Sequence, residues 1–154
     1  MNEQLNPESG ELRVGTGAGA SENLVVGGVA GAVAALVGAG TWAAVTYFTN
    51  YQIGFMAIGV GYLVGIVMLK FGHGQSQAFG ILAAVLAVAG CLLGNLLSAC
   101  AFAADQLEVP MMRIVSSLTP DVAVEILQEG FSAIDALFYF LAVSAAFRAS
   151  RAAE

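Results

Sequence analysis

Four long apolar runs, nearly free of charge, fill most of this chain: Leu24–Phe48, Ile53–Leu69, Ala78–Ala104 and Phe131–Phe147. Each is about long enough to cross a hydrocarbon core of roughly 30 Å at about 1.5 Å per helical residue. A soluble bundle of this size needs polar outer faces on its helices, and these runs are apolar all round, so their outer faces must meet lipid. A chain of 154 residues is too short to bury four such helices inside a soluble core. The expectation is an all-α integral membrane four-helix bundle. Only 10% of the residues are charged, against roughly 25% in ordinary soluble domains.

The net charge of -6 is unevenly spread. Glu3, Glu8, Glu11 and Glu22 precede the first run; Asp105, Glu108, Asp121, Glu125 and Glu129 lie between the third and fourth. There is no basic patch, which argues against a nucleic-acid partner and against a polybasic membrane-surface switch. Residues 1–23 are polar, acidic and glycine-rich, a disordered-tail composition. They lack the basic and early apolar stretches of a signal peptide, so the first run is expected to act as an uncleaved signal anchor. No lipidation motif is present. The tail glycines do not make a phosphate loop, since neither a preceding strand nor a Gly-Lys-Ser/Thr accompanies them.

The spans are expected at about 24–48, 53–69, 78–104 and 131–147, within a transmembrane domain of residues 24–149 followed by a tail of 150–154. Ser21 or Asn23 can cap the first helix. Trp42, Tyr47, Phe48 and Tyr51 at its far end match an aromatic belt at the water boundary. Thr49-Asn50 gives a very short turn and hence an antiparallel hairpin. Lys70–Gln75 links the second and third helices, with His73 expected as an exposed turn residue. Residues 106–129 carry apolar positions at helical spacing, and Thr119-Pro120-Asp121 is a helix start. This amphipathic segment either lies on the bilayer surface or packs on the bundle, and its second piece is either separate or an extension of the fourth helix, with Gly130 at the break. Four spans place Arg13, Lys70, Arg148 and Arg151 on one side against Arg113 on the other, so both termini are expected to be cytoplasmic.

Glycine is the most patterned residue. Gly27/Gly31, Gly61/Gly65 and Gly90/Gly94 form small-xxx-small pairs that allow close helix packing in lipid, either within this subunit or against another. Two polar side chains fall inside spans, Asn95 and Asp135, with Tyr139 one turn beyond Asp135. An intramembrane acid is a candidate functional group. Asp135 either reaches water or a nearby backbone N–H at the span's end, or pairs with Asn95, or forms a proton or cation site with it. Cys91 and Cys100 lie about 900° apart around one helix, on opposite faces, which excludes a disulfide or shared metal between them. No metal, cofactor or catalytic constellation is legible.

The stretches Tyr51–Gly65 (YQIGFMAIGVGYLVG), Gly90–Asn95 (GCLLGN) and Asp135–Arg148 (DALFYFLAVSAAFR) resemble an uncharacterised family of small bacterial four-span membrane proteins. Some relatives carry a cytoplasmic domain, such as a zinc ribbon, before the first helix; the tail here has no cysteine and is too short for one. The resemblance covers roughly residues 42–148 and implies a bacterial inner-membrane topology without implying an activity. The expected function is a non-enzymatic scaffold or accessory subunit that self-associates or joins other membrane proteins in the lipid bilayer. The alternative is a small oligomeric transporter or channel using Asp135 and Asn95.

Overall fold

The computed structural model describes residues 23–51 and 54–152. All the described elements are helices: α1 (Leu24–Thr49), α2 (Phe55–Gly72), α3 (Gln77–Gln106), α4 (Met111–Ser116), α5 (Pro120–Gly130) and α6 (Ala133–Ala149). Of the two cap candidates for α1, Asn23 accepts a hydrogen bond from the Val26 N–H (3.0 Å), while Ser21 lies outside the described residues. The expected 1–23 tail also lies outside them, apart from Asn23, as does Ile53 at the start of the expected second span.

α2 and α3 form the centre. Both pack against α1 on one side and α6 on the other, and α1 and α6 do not touch. Asn23 N–H donates to the Gly72 carbonyl (2.9 Å), and Arg151 Nε donates to the Gln75 carbonyl (3.2 Å). These contacts gather the start of α1, the α2–α3 connection and the end of α6 at one end, called proximal here. Thr49, Phe55, Asp105 and Asp135 lie toward the opposite, distal end.

The interior is made of small side chains and the exterior of large ones. Ala57, Ala83, Ala87, Ala142 and Ala146 are fully buried, whereas Val29, Val33, Leu36, Ile81, Val85, Leu137 and Phe140 are exposed. Burial covers only 33%, 39% and 33% of the most apolar stretch of α1, α2 and α3. An apolar exterior that large suits lipid and not water. Three helices are long and apolar enough to cross a membrane, and α5 with α6 forms a fourth candidate as a broken span bent by 103°. This is the architecture of a membrane protein.

Glycines let the backbones meet. A Cβ on Gly61 would strike the Ala142 backbone, and one on Gly65 would fall 2.6 Å from the Ala146 carbonyl oxygen, so α2 and α6 touch main chain to main chain. A Cβ on Gly90 would lie 2.9 Å from Val60, and one on Gly94 would lie 2.9 Å from the Trp42 ring. At the proximal end Phe79 fills the space left by Gly27, Gly72 and Gly74, and Gly31 makes room for Met68. Close backbone contact is the main source of helix association in lipid, where apolar surface gains little from leaving the solvent.

Three details differ from the sequence reading, and one alternative that it left open, whether α5 extends α6, is resolved. α2 runs through Lys70 and Phe71 to Gly72, and His73 closes it in the left-handed region (φ 50°) with its N–H on the Leu69 carbonyl; the connection is therefore shorter than Lys70–Gln75. Trp42 is not part of an interfacial belt. It is 2% exposed, because Gly94 opposite it carries no side chain and the indole fits there. Tyr47, Phe48 and Tyr51 remain on the surface. α5 does not extend α6: the chain breaks at Phe131–Ser132, where Ser132 adopts an extended conformation and caps a new helix. Ser150 is fully buried, and Arg151 lies 5.0 Å over the Phe147 ring, so the C-terminal segment is docked as far as Arg151.

Candidate functional site

A group of polar side chains on α3 and α6 meets toward the distal end. Asn95 Nδ2 on α3 donates to the Tyr139 hydroxyl on α6 at 2.8 Å. One turn away, Asp135 occupies the third position of α6 and closes a capping box. Its carboxylate accepts from the Ser132 N–H (2.9 Å) and the Ser132 hydroxyl (2.6 Å), and its own N–H donates back to Ser132 Oγ (3.3 Å). The direct Asp135–Asn95 pair does not form. Asp135 is drawn to the two donors in its own first turn, and Asn95 meets Tyr139 instead. Both residues thus converge on one face of α6, with Tyr139 between them, since residues four apart are neighbours on a helix. Phe131 stacks on Tyr139 with ring centroids 5.6 Å apart.

Ser132-x-x-Asp135 is the sequence signature of such a box, and it was the signal available for the role of Asp135. Two further polar groups carry no comparable signal. Trp42 Nε1 and Thr46 Oγ1, one turn apart on the core face of α1, are buried without a hydrogen-bond partner. Ser98 on α3, also buried, donates to the Gly94 carbonyl (2.7 Å). The two cysteines are both free and buried, and Cys91 Sγ lies 3.8 Å from the Ala57 carbonyl oxygen. Their opposite faces are both covered because α3 is central.

Two apolar grooves flank α1. One, of about 750 Å³, runs between α1 and α3 at the distal end, with Gly40, Ala43 and Ala44 on one wall and Leu97, Ala101 and Ala104 on the other. The second, of about 410 Å³, lies between α1 and α2 and includes Gly38, Thr41, Gly59, Tyr62 and Ile66. Each groove holds one of the two glycines in α1–α3, Gly40 and Gly59, at which an added Cβ would meet nothing within 4 Å. Neither groove was legible in the sequence, because Gly40 and Gly59 look no different from the glycines that pack inward.

Among the described residues, no three of His, Cys, Asp and Glu come together as a metal-binding group. His73 lies at the proximal end, away from Asp135. Comparison with protein-family models, with curated proteins and with solved structures finds no match.

Proposed function

We propose that this chain is a non-enzymatic, four-span subunit of the bacterial cytoplasmic membrane that assembles with itself or with other membrane proteins. In this reading α6 is the fourth span, α5 lies along the membrane surface, and both termini are cytoplasmic. Lys70, Arg148 and Arg151 at the proximal end against Arg113 at the distal end favour that orientation, and the resemblance to small bacterial four-span proteins agrees with it.

The observation that carries the reading is Gly59. A glycine within a helix costs about 1 kcal/mol relative to alanine, and the other three glycines of α2 each sit against a neighbour that a side chain would displace. Gly59 opens instead onto the groove between α1 and α2. A small residue on an outward face suits the close approach of another transmembrane helix. Native mass spectrometry of gently extracted, tagged protein tests this. A stable complex that Gly59→Leu disperses, while the subunit stays folded, is the expected result; a monomer in gentle detergent and in nanodiscs refutes the reading.

A second reading, a small oligomeric transporter or channel, draws on the distal polar groups: the Asn95–Tyr139 bond, Asp135 one turn away, and the unpartnered Trp42 Nε1 and Thr46 Oγ1. Proton or cation flux into liposomes that Asp135→Asn abolishes would favour it.

A further inference from the structure

We propose that the distal groove between α1 and α3 binds a cationic amphiphile dissolved in the membrane, its tail along the groove and its ammonium head at Asp105 and Glu108. The occupant is an alkyl ammonium without an accompanying phosphate.

The groove's volume of about 750 Å³ falls in the range of small-molecule sites, roughly 300–1,000 Å³. Its floor is built from small residues, so it is a trough and not a packed seam. Asp105 stands in the last turn of α3. Two residues past that helix, Glu108 takes a left-handed conformation (φ 52°), and the chain turns so that Val109, Pro110 and Met111 also border the groove. Neither carboxylate has a hydrogen bond or ion pair to another residue, and both side chains are exposed.

The charge at this mouth is one-sided. The groove is bordered by Asp105 and Glu108 and by no basic residue. Residues 105–130 contain five acids and one base. α1 and α3 both end here, and a helix C-terminus carries partial negative charge. Tyr47, on the groove's edge and half-exposed, offers a ring face to an ammonium. A phosphate would be repelled by the same groups. A tail gains little by leaving other lipid tails for an apolar groove, so selectivity has to come from the head group.

The test uses the full chain in phosphatidylcholine nanodiscs and follows quenching of Trp42, the single tryptophan, whose neighbour Ala43 lines the groove. Three amphiphiles with the same brominated tail are compared: a trimethylammonium, a phosphocholine and an uncharged head. The trimethylammonium is expected to quench at a mole fraction about tenfold lower than the other two, as two exposed charge contacts imply. The double variant Asp105→Asn/Glu108→Gln should erase that preference, and Gly40→Leu should erase it by filling the groove. Asp121→Asn/Glu125→Gln removes the same charge from α5 and should leave it intact. Equal quenching by all three heads overturns the proposal, as does a preference that survives at Asp105/Glu108 or is lost equally with the α5 pair, which would reduce it to surface potential. These outcomes are independent of the assembly role, which is read at Gly59 on the other side of α1.

Discussion

Asn95 and Tyr139 join α3 to α6 through a 2.8 Å hydrogen bond between their side chains. Side-chain hydrogen bonds between membrane helices average about 0.6 kcal/mol and reach about 1.7. Asn95→Leu and Tyr139→Phe should therefore each lower stability by about 0.5–1.5 kcal/mol. A double-mutant cycle, measured by reversible unfolding in mixed micelles, should return a coupling energy of similar size. Fully additive effects would mean that the bond contributes nothing to the bundle.

Adjacent glycines on α2 should behave in opposite ways. Gly61→Leu forces a side chain into the Ala142 backbone, which cannot rotate away, and should destabilise by at least about 1–3 kcal/mol or prevent folding. Gly59→Leu points into open space and should leave the monomer's thermal midpoint unchanged or slightly raised, since leucine is the better helix former. Thermal unfolding of the two variants in the same detergent separates them, and similar losses would contradict the packing described.

Asp135 has a structural duty that its charge does not define. Asp135→Ala removes the acceptor for both Ser132 donors and should cost about 1 kcal/mol. Amide exchange should then accelerate in the first turn of α6 and little elsewhere. Asp135→Asn keeps an acceptor oxygen and should fray less. Flux lost in the Asn variant with the helix start intact would point to transport; retained flux would leave Asp135 as a cap.

Thr46 is buried with an unpartnered hydroxyl, which costs about 1–3 kcal/mol. Thr46→Val removes it with little change in shape and should raise the thermal midpoint. A lower midpoint would show that the hydroxyl has a partner in the membrane, and would strengthen the transport reading.

Cys91 and Cys100 are 0% and 1% exposed. Neither should react with a membrane-permeant maleimide until the protein is denatured. Rapid labelling of either would show that the packing around α3 opens readily.

The sequence by itself determined the helical, membrane-embedded character of this protein. Long apolar runs have few alternatives, because backbone polar groups in lipid must be satisfied within the segment. It also displayed glycine pairs at small-xxx-small spacing, and it contained the Ser132-x-x-Asp135 pattern that accounts for the acid in the first turn of α6. Tertiary structure decided what these residues meet. Period and spacing place Gly59 and Gly61 two residues apart on one helix, but only the position of α6 makes Gly61 a contact and leaves Gly59 open. Trp42 reads as interfacial beside Tyr47 and Phe48 until α3 brings Gly94 against it. Asn95 and Asp135 are both polar groups within the apolar runs, and their partners depend on local geometry: a donor pair within one turn holds Asp135, while a hydroxyl on a neighbouring helix takes Asn95. Apolar composition fixes the solvent a chain must live in, whereas which small or polar residue faces which neighbour depends on how the helices are arranged around α2 and α3.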